Sequence, residues 1–279
     1  KIFDCITYFD EPMLFEIRLN ILDKLVDEFI VAEALYTHSG KKKKINFKKD
    51  LYPRFKNRIK HIVIEKEPQN LSLIKNNDDN EINQAHYRIN AAKRIEFQWN
   101  AISKVFKEVN NDDWIIYSDS DEIPNLENIN FENIKQKFLL FKQKMFYYKF
   151  NLLNLTESPW YGSKMCKMRY LRSPQWLRDQ KVKKYPFYRF DKIKWNTIED
   201  GGWHFSNIMT PQQISEKIKS FAHSEYNKPE FKNIENIKNK IQEKKDIFNR
   251  NFEFKKLNSE KELPNYIFEN KEKFSSFLI

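Results

Sequence analysis

The sequence predicts an α/β fold, with a parallel, doubly wound sheet flanked by helices in its first half and a mixed α+β second half. Three observations point there. Short apolar runs alternate with helix-period segments as far as residue 118, the pattern of consecutive strand–helix–strand units. A buried-strand signature, Trp114-Ile115-Ile116-Tyr117, then runs straight into Ser118-Asp119-Ser120-Asp121-Glu122-Ile123-Pro124, so acidic groups stand where a core strand stops. Beyond it aromatic residues crowd 145–153 and 160–203, and neither an internal repeat nor a low-complexity linker marks a boundary. One continuous unit is expected, organised as residues 1–125, 126–228 and a helical tail, 229–279.

Taken in order, Ile2 to Phe9 reads as a first strand closed by Asp10-Glu11-Pro12. From Pro12, the spacing of Leu14, Ile17, Ile21, Leu22 and Leu25 predicts an amphipathic helix with proline in its first turn. Phe29 to Ala32 predicts a second strand running into Glu33, and Ile59 to Ile64 a third. Residues 66–81 are polar and irregular. Ile82, Ala85, Ile89, Ala92, Ile95, Trp99, Ile102 and Phe106 keep a three-to-four rhythm that predicts one long helix feeding the 114–118 strand. Later strands are expected at Met145–Leu153, Lys164–Leu171 and Phe187–Phe190. Helices are expected from Thr210-Pro211 to Phe221, and over Phe231, Ile234, Ile237 and Ile241.

Composition bounds the class. At 279 residues, 40% of them hydrophobic, the chain can bury a full core, and no apolar run approaches the ~20 residues of a membrane span. Two cysteines, Cys5 and Cys166, make no disulfide framework and fit a reducing compartment, so a cytoplasmic location in a bacterial or viral setting is expected. The first residue is Lys1, which leaves room for a removed N-terminal segment. A net charge of +11 suits an anionic partner: nucleic acid, a nucleotide-linked small molecule, or an anionic membrane touched peripherally. It does not choose among them, and part of it can be ordinary solvated surface.

Asp119 and Asp121 are two apart, so in extended backbone both face one side while Glu122 faces the other. Two adjacent carboxylates repel unless a cation lies between them, and hard oxygen ligands suit Mg²⁺ or Mn²⁺. The same spacing also describes a solvated acidic turn. Only four glycines occur, in Thr-His-Ser-Gly40-Lys, Pro-Trp-Tyr-Gly162-Ser and Gly201-Gly202-Trp-His, and these loops are expected to wall a site. Lys41 is a candidate phosphate contact in a lysine run that otherwise reads as solvent-facing. Of Trp160, Tyr161, Trp176, Trp195 and Trp203, most should be core, and one or two should offer a ring face to a sugar.

The chain resembles glycosyltransferase family 17 in four ordered segments. They are Ile2-Phe3-Asp4-Cys5 with Glu16-Ile17-Arg18-Leu19; Val31-Ala32-Glu33-Ala34 with Thr37-His38-Ser39-Gly40-Lys41; the Ser118–Pro124 acidic segment; and Gly201-Gly202-Trp203-His204-Phe205-Ser206 with Thr210-Pro211. The resemblance spans about residues 1–225. Gln98-Trp99-Asn100 stands where Gln-Arg-Asn is expected, so an arginine contact there is not carried over. The resemblance implies a glycosyltransferase A fold with a Rossmann-like, mostly parallel central sheet. It also implies a nucleotide-sugar donor, with UDP expected, a divalent metal, and transfer with inversion of GlcNAc or a related hexose to a glycan or other hydroxyl acceptor. Glu33, Thr37, Gly40, Lys41, Asn100, Asp119, Gly201 and Gly202 become the implied donor contacts.

Inverting transfer needs charge neutralisation on the leaving diphosphate, a base for the acceptor hydroxyl and exclusion of water. Asp121 is expected to hold Mn²⁺ or Mg²⁺, with Asp119 on the ribose or a metal-bound water. His204, behind two glycines, is the histidine expected to touch metal or phosphate, whereas His61 sits in a strand pattern. Glu199 and Asp200 are the expected base, with Glu33 and Glu157 as alternatives; Trp160, Tyr161 and Trp203 are the expected acceptor contacts. His223 and Glu225 are read as bracing the site or capping a helix. Two other classes use the same features. Lys181 to Arg189, basic with interleaved aromatics, suits a nucleic-acid binding module, and the paired carboxylates suit a metal-dependent phosphotransferase or nuclease.

Overall fold

A computed structural model describes all residues except 75–79, 184–185, 187–188, 190–191, 221–227 and 258–261. The first half alternates as expected: β1 (Ile2–Thr7), α1 (Pro12–Leu22), β2 (Glu28–Ala34), β3 (Ile59–Ile64), α2 (Asn80–Ala101), β4 (Trp114–Ser118) and β5 (Glu122–Pro124). There follow β6 (Phe138–Tyr147), β7 (Leu152–Asn154), β8 (Trp160–Lys167), α3 (Pro174–Asp179), β9 (Asn196–Ile198) and β10 (Gly202–Ser206). The chain ends with α4 (Pro211–Ser220), α5 (Pro229–Lys232), α6 (Ile234–Gln242), β11 (Phe254–Lys256) and α7 (Asn265–Glu269).

Strands β3, β2, β1 and β4 form a parallel block in that order, with β1 in register against both β2 and β4. Alternation along β1 wraps it on both faces. Ile2 and Ile6 pack with Phe15, Leu19 and Leu22 of α1, whereas Phe3 and Cys5 pack on the opposite side with Trp99 and Ile102. The doubly wound expectation holds for this block only. Next to β4, β8 runs antiparallel and pairs on to β6, so the sheet is mixed; its main path runs β11-β7-β6-β8-β4-β1-β2-β3, with β9 and β10 branching from β6 and β5 pairing β10.

The second half departs from expectation in register. The strand expected at 145–153 runs from Phe138 to Tyr147 and stops at Tyr148, a non-glycine residue at φ 64. The strand expected at 164–171 begins four residues earlier, at Trp160. The long helix ends at Ala101 and continues as a 3₁₀ segment, Ile102–Glu108. Asn233 splits the expected last helix by capping α6 through its side chain. Residues 229–279 are no helical appendage. β11 extends the sheet through β7, and Leu263, Ile267 and Phe274 share a core with Phe146, Phe150 and Phe205. The expected strand at Phe187–Phe190 lies outside the described residues apart from Arg189. Among the described residues, no helix is long and apolar enough to cross a membrane.

Candidate active site

Beyond the carboxyl ends of β1, β2 and β4 opens a cavity of about 570 Å³, the place where open α/β sheets bind ligands. Its floor holds the turn between β4 and β5. The Glu122 amide donates to the Asp119 carbonyl at 3.0 Å, and the Asp119 amide donates back to Glu122 Oε2 at 3.2 Å. From below, the fully buried Arg18 of α1 fixes this turn. Its Nη1 donates to the Glu122 carbonyl at 2.6 Å, while Nε and Nη2 grip Asp4 of β1 at 2.6 Å each. From the side, the Phe205 amide of β10 donates to the Asp121 carbonyl at 2.8 Å.

Because Asp119 and Asp121 sit in a turn and not in extended backbone, their carboxylates diverge instead of sharing one face. Asp119 Oδ2 lies 3.5 Å from Arg178 Nη2 of α3. Asp121 Oδ1 lies 3.6 Å from His204 Nε2, and its Oδ2 lies 3.5 Å from Lys217 Nζ of α4. Burial alone would raise the Asp121 carboxyl, but Lys217 and His204 outweigh it and hold the group well below the usual carboxylate range. Burial likewise opposes charge on His204, yet the Asp121 carboxylate lifts its imidazole above the ordinary value. Glu122 does not point away into solvent. Trp160 Nε1 donates to its Oε1 at 2.7 Å, and burial followed by the Asp119 charge pushes the carboxyl up to about 7.

Metal fit rests on these donors. A carboxylate and an imidazole suit a divalent ion such as Mn²⁺ or Mg²⁺, and the His204 nitrogen that faces Asp121 Oδ1 is Nε2, 3.6 Å away. Among the described residues, no group of three or more His, Cys, Asp or Glu side chains could hold such an ion alone. The chain offers part of a coordination shell, which fits an ion completed by phosphate oxygens and water.

The cavity brings together Thr37, Asp119, Asp121, Trp160, His204 and the alternative base Glu157. It does not bring in the others. Glu199 and Asp200 are exposed, pair with Lys142 and Lys144, and precede β10 at the end away from Ser206. Gly201 and Gly202 serve strand packing. A Cβ on Gly202, at φ +119, would lie 2.1 Å from the Ile123 carbonyl, and one on Gly201 would lie 2.7 Å from the Lys142 amide. Gly202→Ala should therefore lower stability by at least about 2 kcal/mol, read from the midpoint of urea denaturation, because backbone atoms cannot swing aside. Gly162 leaves room for the Glu122 carboxylate, and Gly40 packs against Arg94.

Glu33 is consumed by structure: it accepts from Lys43, from the Asn46 amide at 2.7 Å and from the Phe47 amide at 3.1 Å. Lys41 is exposed outside the cavity, and Asn100 accepts from the Gln175 amide, whereas its neighbours Gln98 and Trp99 do line the cavity. Tyr161, one residue along β8 from Trp160, faces solvent, and Trp203 donates to the Glu262 carbonyl within a core. His223 and Glu225 lie outside the described residues, as does part of the Lys181–Arg189 run. Cavity-lining groups not anticipated are His38, whose imidazole burial holds below its ordinary value, together with Glu11, Arg178, Lys217 and the tail residues Ile247, Phe248 and Phe252. His38 lies within the Thr37–Lys41 segment with nothing to single it out there, and Arg178 and Lys217 sit in no local motif.

A family model described as Glycosyltransferase family 17 matches residues 1–279. Among solved structures, the crystal structure of HddC from Yersinia pseudotuberculosis is similar over 73% of this chain and 90% of that chain, at 9% identity and a TM-score of 0.33. So distant a likeness informs nothing further. No match was found among curated proteins.

Proposed function

Because the chain belongs to glycosyltransferase family 17, and so is a glycosyltransferase acting on a sugar donor and an acceptor, we propose that its cavity binds a UDP-sugar. The sugar, GlcNAc or a related hexose, passes with inversion to a glycan or other hydroxyl acceptor. The observation that carries this reading is the placement of Asp121 at the end of a central parallel strand, 3.6 Å from His204, in the cavity floor. The parallel block followed by an antiparallel β8 supports reading the fold as glycosyltransferase A.

In this reading the nucleotide lies over the ends of β1 and β2, along Thr37 and His38, with Asp119 toward the ribose. The diphosphate lies between Asp121, His204 and Lys217. A divalent ion held by Asp121 and His204 would supply Lewis-acid neutralisation of the leaving diphosphate. The acceptor enters over Trp160, whose ring lies 4.8 Å from that of His204 and offers an apolar face. Residues 1–125 thus serve the nucleotide, His204 and Lys217 of the second half join Asp121 at the diphosphate, and Trp160 with tail residues 247–252 serves the acceptor.

Glu157 takes the role of base in place of Glu199 and Asp200. Its amide is fixed by Asn154 Oδ1 at 3.1 Å, and its side chain lines the cavity beside Trp160. Glu157→Gln should lower kcat by roughly 10²-fold or more with little change in donor KM, whereas Glu199→Gln and Asp200→Asn should stay near wild type. UDP release from a panel of UDP-sugars, with and without Mn²⁺, tests the function itself. Turnover of one donor above the others supports it, and release indifferent to the sugar contradicts it.

A further inference from the structure

Both aspartates of the acidic turn already face a cation that belongs to the protein. Arg178 stands 3.5 Å from Asp119, and Lys217 stands 3.5 Å from Asp121. Resting on the donor reading above, we propose that Lys217 occupies the cation position on Asp121 in the donor-free enzyme and moves to the donor diphosphate on binding, so that the divalent ion enters only together with the nucleotide.

Three observations converge on this assignment. Lys217 Nζ takes the Asp121 oxygen that His204 leaves free, so an ion joining that carboxylate must share it with an ammonium or displace it. Like charges that close repel strongly in a half-buried site. Among the described residues, no group of three or more candidate ligands gathers there to offset that repulsion. A diphosphate arriving with the ion changes both terms: it adds oxygen ligands and gives the ammonium a new counter-charge.

Lys217 is also built to move. It sits in the last turn of α4 with its side chain 23% exposed, and it lines the same cavity as Asp121 and Glu11. Its four-carbon stem lets the ammonium swing while the helix stays fixed. Arg178, by contrast, stacks its guanidinium 5.5 Å over Trp99 and is held in place.

The test is Mn²⁺ affinity of the full chain, read by paramagnetic resonance of the free ion, with and without UDP, for wild type, Lys217→Met and Lys217→Arg. Wild type should bind Mn²⁺ weakly alone and much more tightly with UDP. Lys217→Met should bind Mn²⁺ without UDP about tenfold more tightly than wild type, with weaker coupling to the nucleotide, and Lys217→Arg should behave as wild type. Lys217→Gln gives the same comparison through a second neutral side chain. If UDP binds but the neutral variants leave Mn²⁺ affinity unchanged or lower, the role of Lys217 is overturned and the donor reading stands. Failure of UDP to bind any of these proteins overturns both.

Discussion

Replacing Asp121 with Asn is expected to lower kcat/KM for the donor by about 10²–10³-fold, the scale lost when one stabilising partner of a developing anion is removed, here the divalent cation that the carboxylate would hold. The carboxylate stands in a turn fixed through Arg18 and through the Phe205 amide, and the substitution keeps these two contacts because both are made to backbone carbonyls. What it removes is the charge that Lys217, His204 and an incoming ion share. Asp119→Asn should cost less, since Asp119 faces Arg178 at 3.5 Å and is placed toward the ribose. Steady-state UDP release measures both, and equal losses would argue against separate roles for the two carboxylates.

Arg18→Met should lower folding stability by about 3–5 kcal/mol, the cost of breaking a buried ion pair from one side. The substitution strands the buried Asp4 carboxylate, and it also leaves the Glu122 carbonyl without its 2.6 Å donor. The double variant Asp4→Leu with Arg18→Met removes both charges and should recover much of that stability. It should not recover activity, because the Asp119–Glu122 turn still lacks its support from α1. Urea denaturation beside donor turnover separates the two effects. Recovery of both in the double variant would show that Arg18 acts on stability alone.

The first half of the fold is legible because its signals are local and periodic. β3 and β4 lie where apolar runs predict them, and α1 starts at the expected proline. The second half is not, for identifiable reasons. β6 begins at Phe138 but carries lysines at 142 and 144, which dilute its apolar pattern, and it stops at Tyr148, where no glycine or asparagine announces a positive φ. Asn233 reads as one polar residue within a helical rhythm, yet its side chain caps a new helix.

Within the site, Asp119, Asp121, His204 and Trp160 were readable because each lies in a compact motif or a distinctive residue type. Scarce glycine misled, since Gly162, Gly201 and Gly202 make room for protein atoms and not for a ligand. Lys217 and Arg178 were unreadable: each is one basic residue in a short helix of a chain with 50 lysines and arginines. Only the topology carries them to the acidic turn, and the same topology leaves Glu199 and Asp200 outside the cavity.

A crystal soaked with UDP and Mn²⁺ tests the central claim most directly. The account predicts the diphosphate against Asp121, His204 and Lys217, with the uridine over the ends of β1 and β2. Nucleotide bound elsewhere, with Asp121 touching neither phosphate nor ion, would contradict it.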